Sequence, residues 1–364
     1  MAPHSGWLAL DERRDHLGWL LRGGGFAAAR SIRMSLRPEV PVKVLVITNA
    51  TTLPEVSQDQ KNQIREAAGP GSEVVVTADS GRALSEIVDT DVLLGHLDPE
   101  LFAVAERLKW VHATASGVDD YLFEEFKRSA IPLTGEKGLV GPHLADHAFA
   151  LLLALARSLK PAMQLGGGAW ESRVPMRRAA FELGGLTMGI VGFGGTGRAV
   201  AERAAGFGMN VRAVDALEVP GTPIVPVVES MESFRTLLGR SDVVAVCTPL
   251  TPDTHHLFNS ESLALMKPGS VIVNVTRGEI IDLEAVIDAV ESGRLRGAVL
   301  DVVEGEPLPA DHRVFDVENI ILTPHTAGAS NHRAQRNLDR FCENLQCFRA
   351  NRELVGLIDK ETGF

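Results

Sequence analysis

Residues 187–197 read TMGIVGFGGTG, an apolar run that ends in Gly192-x-Gly194-x-x-Gly197 and passes into a helical pattern over 198–207. A strand, a glycine-rich turn and a helix in that order leave few architectures open. Gly192 permits the tight turn, Gly194 lets the backbone approach a pyrophosphate, and Gly197 lets helix and strand pack closely. The helix N-terminus adds free N–H groups and the positive end of a dipole, which suit phosphate oxygens. A second strand pattern, NVRAV at 210–214, runs into Asp215, 18 residues past Gly197. An acid at that distance is placed to hold a ribose 2′-OH. The segment therefore predicts dinucleotide binding, with Gly195 and Thr196 in the same phosphate loop. An aspartate repels a 2′-phosphate and no arginine follows it closely in sequence, so NAD is expected over NADP.

The rest of the chain supports an α/β fold. Strand patterns at 43–47 (KVLVI), 73–77, 91–95 and 110–113 alternate with helical patterns at 58–68 and 83–87. Such alternation argues for parallel strands joined by helical crossovers. Residues 143–159 (HLADHAFALLLALARSL) read as one long helix stopped before Pro161. A second series follows, with strands expected at 187–191, 210–214, 243–247, 271–275, 297–300 and 320–323, enough for a doubly wound sheet. Residues 334–351 read as a closing helix whose Leu338, Phe341, Leu345 and Phe348 form one stripe.

With 364 residues, 45% apolar and 23% charged, the chain has room for about two domains of roughly 150 residues each. Its formal net charge of −11 argues against non-specific nucleic-acid binding, yet leaves room for an anionic substrate in a locally positive cleft. Cys247, Cys342 and Cys347 make neither a disulfide framework nor a CxxC pair, consistent with a cytoplasmic protein. No apolar run approaches the ~18 residues of a membrane helix. Residues 1–41, with six arginines and no lysine before Pro41, read as an N-terminal extension. Asp11, Glu12 and Asp15 speak against a transit peptide.

Three polar residues stand near the ends of predicted strands, where open α/β sheets place their ligand crevice. They are Arg277 in VIVNVTRG, Glu306 in LDVVEGEPLP and His325 in ILTPHTAG. Reducing a keto acid needs a cation that binds the carboxylate and polarises the carbonyl, which a planar guanidinium does. It also needs a proton donor near neutral pH, which imidazole supplies. A carboxylate beside the imidazole fixes its tautomer and favours its charged form.

In these residues the chain resembles the D-isomer-specific 2-hydroxyacid dehydrogenase family, in particular its glyoxylate and hydroxypyruvate reductases. The resemblance runs from about Val42 to Phe364 and includes Trp170…Leu183-x-Gly185, Thr248-Pro249-Leu250-Thr251, Asn274-x-x-Arg277-Gly278, Leu300-Asp301-Val302, Glu306-Pro307 and Thr323-Pro324-His325. It implies two Rossmann-like domains with parallel sheets. The substrate domain would be discontinuous, 42–141 plus 328–364, around an NAD-binding domain at 142–327. It further implies that Arg277 orients substrate, that His325 is the acid/base and that Glu306 pairs with it. Asp301 is expected near the nicotinamide carboxamide, and Thr248, Pro249, Val275 and Thr276 near the cofactor. Backbone amides of Ala115, Ser116 and Gly117 are expected to hold the substrate carboxylate, and the assembly to be a homodimer. Two departures stand out. GFGGTG lacks the arginine that often precedes the last glycine, and Ala115-Ser116 stands where several members carry Ser-Ala.

Other readings compete at single positions. His143, Asp146 and His147 have a spacing that would suit a metal on one helix face, but no second cluster completes the set, and no metal is expected. His255 and His256 are expected in solvent on a surface loop. For the whole chain, the alternatives are a dinucleotide-sensing binding protein like the family's corepressors, or a phosphoglycerate dehydrogenase without a regulatory domain. Formate dehydrogenase is disfavoured because Glu306 stands where those relatives carry glutamine.

Overall fold

The structure, a computed structural model, describes residues 41–364; the extension read at 1–41 lies outside the described residues apart from Pro41. The β-strands form two sheets. The first comprises β1 (Lys43–Ile47), β2 (Glu73–Thr77), β3 (Val92–Leu94), β4 (Trp110–His112) and β5 (Leu133–Thr134). The second comprises β6 (Thr187–Val191), β7 (Asn210–Asp215), β8 (Glu229–Ser230), β9 (Val243–Val246), β10 (Ser270–Asn274), β11 (Leu295–Leu300) and β12 (Ile320–Leu322). The last strand, β13 (Leu357–Ile358), returns to the first sheet and pairs antiparallel with β5.

Among the described residues every other pairing between these strands is parallel. The orders are β13-β5-β4-β3-β1-β2 and β12-β11-β10-β9-β6-β7-β8. Both reverse direction in mid-sheet, the first between β1 and β3 and the second between β6 and β9, as doubly wound folds do. Parallel strands covered on both faces must be apolar throughout, and β3, β9 and β10 are buried along their whole length. The chain is thus two Rossmann-like units, the first completed by returning C-terminal residues. The Arg333–Arg349 helix carries that return. It places Leu338, Phe341, Leu345 and Phe348 in the first core, where Phe341 and Phe348 stack on Trp110 at 5.2 and 5.7 Å.

The helix expected over 143–159 is two helices. The first, Gly141–Ala156, packs into the core of the second sheet. The chain then turns at Ser158, whose φ is 54°, and a second helix runs Leu159–Leu165. Pro161 therefore stops nothing. It sits in the first turn of the second helix, where a missing N–H costs no intrahelical bond. The short strands β5, β8 and β13 escaped the sequence reading because two residues carry no periodicity. Among the described residues no single helix is long and apolar enough to cross a membrane.

Candidate active site

The glycine loop lies at the switch point of the second sheet. After β6 the chain turns at Gly192 (φ 92°), where a Cβ would meet the Cys247 carbonyl and the Thr248 nitrogen at 2.7 Å. A Cβ on Gly197 would strike the Gly192 carbonyl oxygen at 2.1 Å, so the helix Gly195–Gly206 seats directly on the strand end. A Cβ on Gly194 would meet nothing within 4 Å: this face of the loop opens outward. Among the described residues no side chain caps the helix, which leaves its first N–H groups for an anion. On the neighbouring strand end, Asp215 accepts from the Phe193 nitrogen (2.6 Å) and the Leu217 nitrogen (2.9 Å). An open, uncapped loop with a fixed carboxylate alongside fits a dinucleotide.

Thr248 and Pro249 follow β9, and Val275 and Thr276 follow β10, on the same edge of the sheet. Arg198 also bears on this region and went unnoticed in the sequence. Its guanidinium donates to the Pro220 carbonyl (2.6 Å) and lies 4.9 Å from the centre of the Phe193 ring. Burial lowers its pKa, opposed by the charge of Asp215.

Arg277 leaves the end of β10 on a loop shaped by Asn274, a fully buried side chain. Asn274 accepts from the Thr276 nitrogen and hydroxyl (both 3.0 Å) and donates to the Arg277 carbonyl (2.8 Å). The guanidinium then reaches across to the loop after β4. Its Nε and Nη2 donate to Asp119 Oδ2 at 3.2 and 3.1 Å, and its Nη1 donates to the Thr276 carbonyl at 2.8 Å. A Cβ on Gly117 would lie 1.1 Å from Nη2, so the guanidinium rests against the Gly117 backbone. Arg277 and the Ala115, Ser116 and Gly117 loop therefore meet, although they come from different sheets. Asp119 is a second residue the sequence reading missed. It follows that loop by two positions, in a VDD run whose charge was left unused.

His325 Nδ1 is hydrogen-bonded to Glu306 Oε1. Its backbone is left-handed, with φ 53°, a conformation histidine tolerates better than most residues. Asp301, only 1% exposed, holds that turn in place. It accepts from the Thr323 hydroxyl (2.6 Å) and from the nitrogens of Thr326 (2.9 Å) and Ala327 (2.8 Å). Its own carbonyl accepts from the His325 nitrogen at 2.8 Å. His147 lies 3.2 Å from the same carboxylate and 2.9 Å from the Thr323 hydroxyl. In the sequence His147 was weighed only as a metal ligand; it belongs to the support of the His325 turn. Its supposed partners lie elsewhere. Asp146 pairs with Arg203 at 2.9 Å. His143 is buried, neither ring nitrogen has a hydrogen-bond partner among the described residues, and burial pushes its pKa down to about 4.

His255 and His256 are not simply solvated, for both rings face Glu304.

A cation bound to an opposing loop, a histidine–carboxylate pair and a dinucleotide loop on one strand edge suit hydride exchange with a small anionic carbonyl compound. Comparison with known proteins agrees. The family model described as "D-isomer specific 2-hydroxyacid dehydrogenase, NAD binding domain" matches residues 149–327. A glyoxylate reductase of Korarchaeum cryptofilum is 33% identical over 309 residues, 82% of this chain and 89% of that protein. A hydroxypyruvate reductase of Thermotoga maritima is 35% identical over 268 residues, 72% and 81% of the two chains. A solved D-isomer specific 2-hydroxyacid dehydrogenase family protein from Aeromonas salmonicida superposes with a TM-score of 0.72 at 27% identity, covering 88% of this chain and all of the other. The chain belongs to the D-isomer specific 2-hydroxyacid dehydrogenase family and is an NAD(P)-linked oxidoreductase of 2-hydroxy acids.

Proposed function

We propose that the protein is an NADH-preferring reductase of small 2-keto acids of the glyoxylate and hydroxypyruvate type, with Arg277, Glu306 and His325 as its catalytic residues. One observation carries the reading: Arg277 lies against the Ala115, Ser116 and Gly117 loop while the Glu306–His325 pair stands at the neighbouring strand ends. When bound, the reduced nicotinamide supplies the hydride to the keto carbon. Arg277 holds the substrate carboxylate, helped by the loop amides, and meets the charge that develops on the carbonyl oxygen. With Nδ1 committed to Glu306, His325 has Nε2 left to give that oxygen its proton. The product is the 2-hydroxy acid, and His325 takes a proton from solvent before the next cycle. Domains at 42–141 plus 328–364 (substrate) and 142–327 (cofactor), with the crevice between them, belong to the same proposal. NADH oxidation with glyoxylate, hydroxypyruvate, pyruvate and bulky 2-keto acids tests it. Turnover is expected with the small acids, and its absence with all of them would overturn the reading.

The preference for NADH rests on Asp215. Its carboxylate, fixed by two backbone N–H groups, accepts ribose hydroxyls but repels a 2′-phosphate. A hydrogen bond to a charged group contributes about 1.5–3 kcal/mol, so Asp215→Ala should lose roughly tenfold or more in NADH efficiency. The same change leaves Arg198 without its anionic neighbour and narrows the gap to NADPH. Steady-state kinetics with both cofactors check this. A wild-type enzyme that prefers NADPH would contradict it.

Homodimer formation is supported by an apolar surface on residues 159–174. Met163 and Trp170 are 80% and 78% exposed, and Leu159, Leu165 and Val174 are exposed beside them. Large apolar side chains exposed this close together in sequence mark an interaction surface, and the commonest soluble assembly that would cover them is a two-fold dimer. Wild type should sediment as a dimer, and Met163→Glu with Trp170→Glu as a folded monomer. A monomeric wild type would remove the proposal. Cytoplasmic residence is the accompanying reading, supported by three buried, unpaired thiols.

A further inference from the structure

We propose that His255, His256 and Glu304 form a binding site for one divalent transition-metal ion of the zinc class, outside the catalytic centre and independent of the reductase reading. The two imidazoles stack with centroids 4.1 Å apart and planes 30° from parallel, and both Nε2 atoms face the Glu304 carboxylate. Each faces a different oxygen of one carboxylate: His256 Nε2 lies 2.6 Å from Oε2, and His255 Nε2 lies 3.8 Å from Oε1. All three donor atoms fall within 4.8 Å of one another. Metal–nitrogen and metal–oxygen bonds of about 2.0–2.2 Å put ligand atoms of a tetrahedral zinc roughly 3.3 Å apart. The two nitrogen–oxygen separations straddle that value, and an ion would enter by rotation of the two rings and the carboxylate about their side-chain bonds.

The donor set selects the ion. Two imidazoles and one carboxylate suit zinc, cobalt, nickel or copper, whereas magnesium and calcium prefer oxygen ligands alone. The side chains are 49%, 37% and 42% exposed, which leaves room for water to complete the coordination. A simple ion pair needs one imidazole, and His256 already supplies it. The second ring, aimed at the other oxygen, is what a pair does not require.

The cluster is held ready by its backbone. His256 is left-handed at φ 49°, its nitrogen donates to the Glu279 carbonyl at 2.8 Å, and its carbonyl accepts from Asn259 at 3.1 Å. The Thr254 hydroxyl donates to the Pro249 carbonyl at 2.8 Å and tightens the same turn. Three loops meet here: the one after β9 with Thr248 and Pro249, the one after β10 with Arg277, and the one after β11 with Glu306. A bound ion would tie the first of these to the third and stabilise the folded state by mass action.

Titration of metal-free protein with cobalt(II) tests the site. One equivalent should bind with visible d–d absorption, zinc should displace it, and either ion should raise the thermal midpoint. His255→Ala, an exposed position outside the reaction machinery, should weaken cobalt binding by at least about tenfold while metal-free turnover of keto acid stays unchanged. Glu304→Gln should weaken binding as well. Failure of cobalt and zinc to bind would overturn the proposal. So would binding of undiminished affinity in His255→Ala, which would locate the ion elsewhere. Neither result touches the reductase reading, which metal-free turnover tests by itself.

Discussion

Arg277→Lys should lower kcat/KM for keto acid reduction by roughly 10²–10³-fold, the loss expected when one preorganised donor to a developing oxyanion is removed. The guanidinium offers donors in a plane. In this structure Nε and Nη2 meet one carboxylate oxygen while Nη1 anchors the side chain to its own loop at Thr276. Lysine keeps the charge and can still pair with Asp119, so the contact between the two loops survives and folding is little affected. What it loses is the fork that grips carboxylate and carbonyl oxygen together. The loss should therefore appear in kcat as well as in KM, because the carbonyl oxygen gains charge only on the way to product. Cofactor affinity, measured by fluorescence titration, should change little. Near-normal kinetics in the lysine variant would place Arg277 outside the reaction. The Gly117 contact gives an independent check. A methyl there would occupy the space of Nη2, so Gly117→Ala should reproduce the loss with Arg277 intact.

Much of this architecture was legible because the chain states it locally. Buried parallel strands need continuous apolar runs, and KVLVI and VVAV are short and rich in β-branched residues, which favours strand over buried helix. The glycine loop was readable for a related reason: at Gly192 and Gly197 any side chain would strike backbone, so the residue type reports the geometry. What escaped was set by contacts distant in sequence. Asp119 and Arg277 are 158 positions apart, and nothing in a VDD run announces a guanidinium arriving from the end of a strand in the other sheet. His147 looked like part of a metal motif because helical spacing was the only clue; its partners, Asp301 and Thr323, stand just past the ends of β11 and β12. Arg198 was overlooked for the opposite reason. It adjoins the fingerprint, but its nearness to Asp215 comes from the packing of helix against strand. The break at Ser158 was hidden by a proline that reads as a stop and in fact sits in the first turn of the next helix.

His325→Asn should cost about 10²–10⁴-fold in kcat, the usual contribution of a general acid or base, and should do so at every pH. Asparagine is the informative replacement. It accepts the left-handed backbone at position 325 with less strain than most residues, and its amide can still donate to Glu306. The turn pinned by Asp301 should stay in place, and NADH binding with it. Glu306→Gln asks a different question. Reduction needs the ring protonated and oxidation needs it neutral. The Glu306 carboxylate is an acceptor only, so it holds the ring in the tautomer with Nδ1–H and keeps Nε2 for the substrate oxygen. Glutamine keeps the shape but can offer its amide N–H to Nδ1, which places the ring proton on Nε2 and leaves the neutral ring unable to take a proton from the hydroxy acid. Oxidation should therefore lose roughly 10²–10⁴-fold in kcat, and reduction less, while NADH affinity by fluorescence titration changes little. Steady-state kcat in both directions decides the matter. If wild type and Glu306→Gln agree in both, the carboxylate does not act on the ring during turnover, and the paired acid–base assignment of Glu306 and His325 fails.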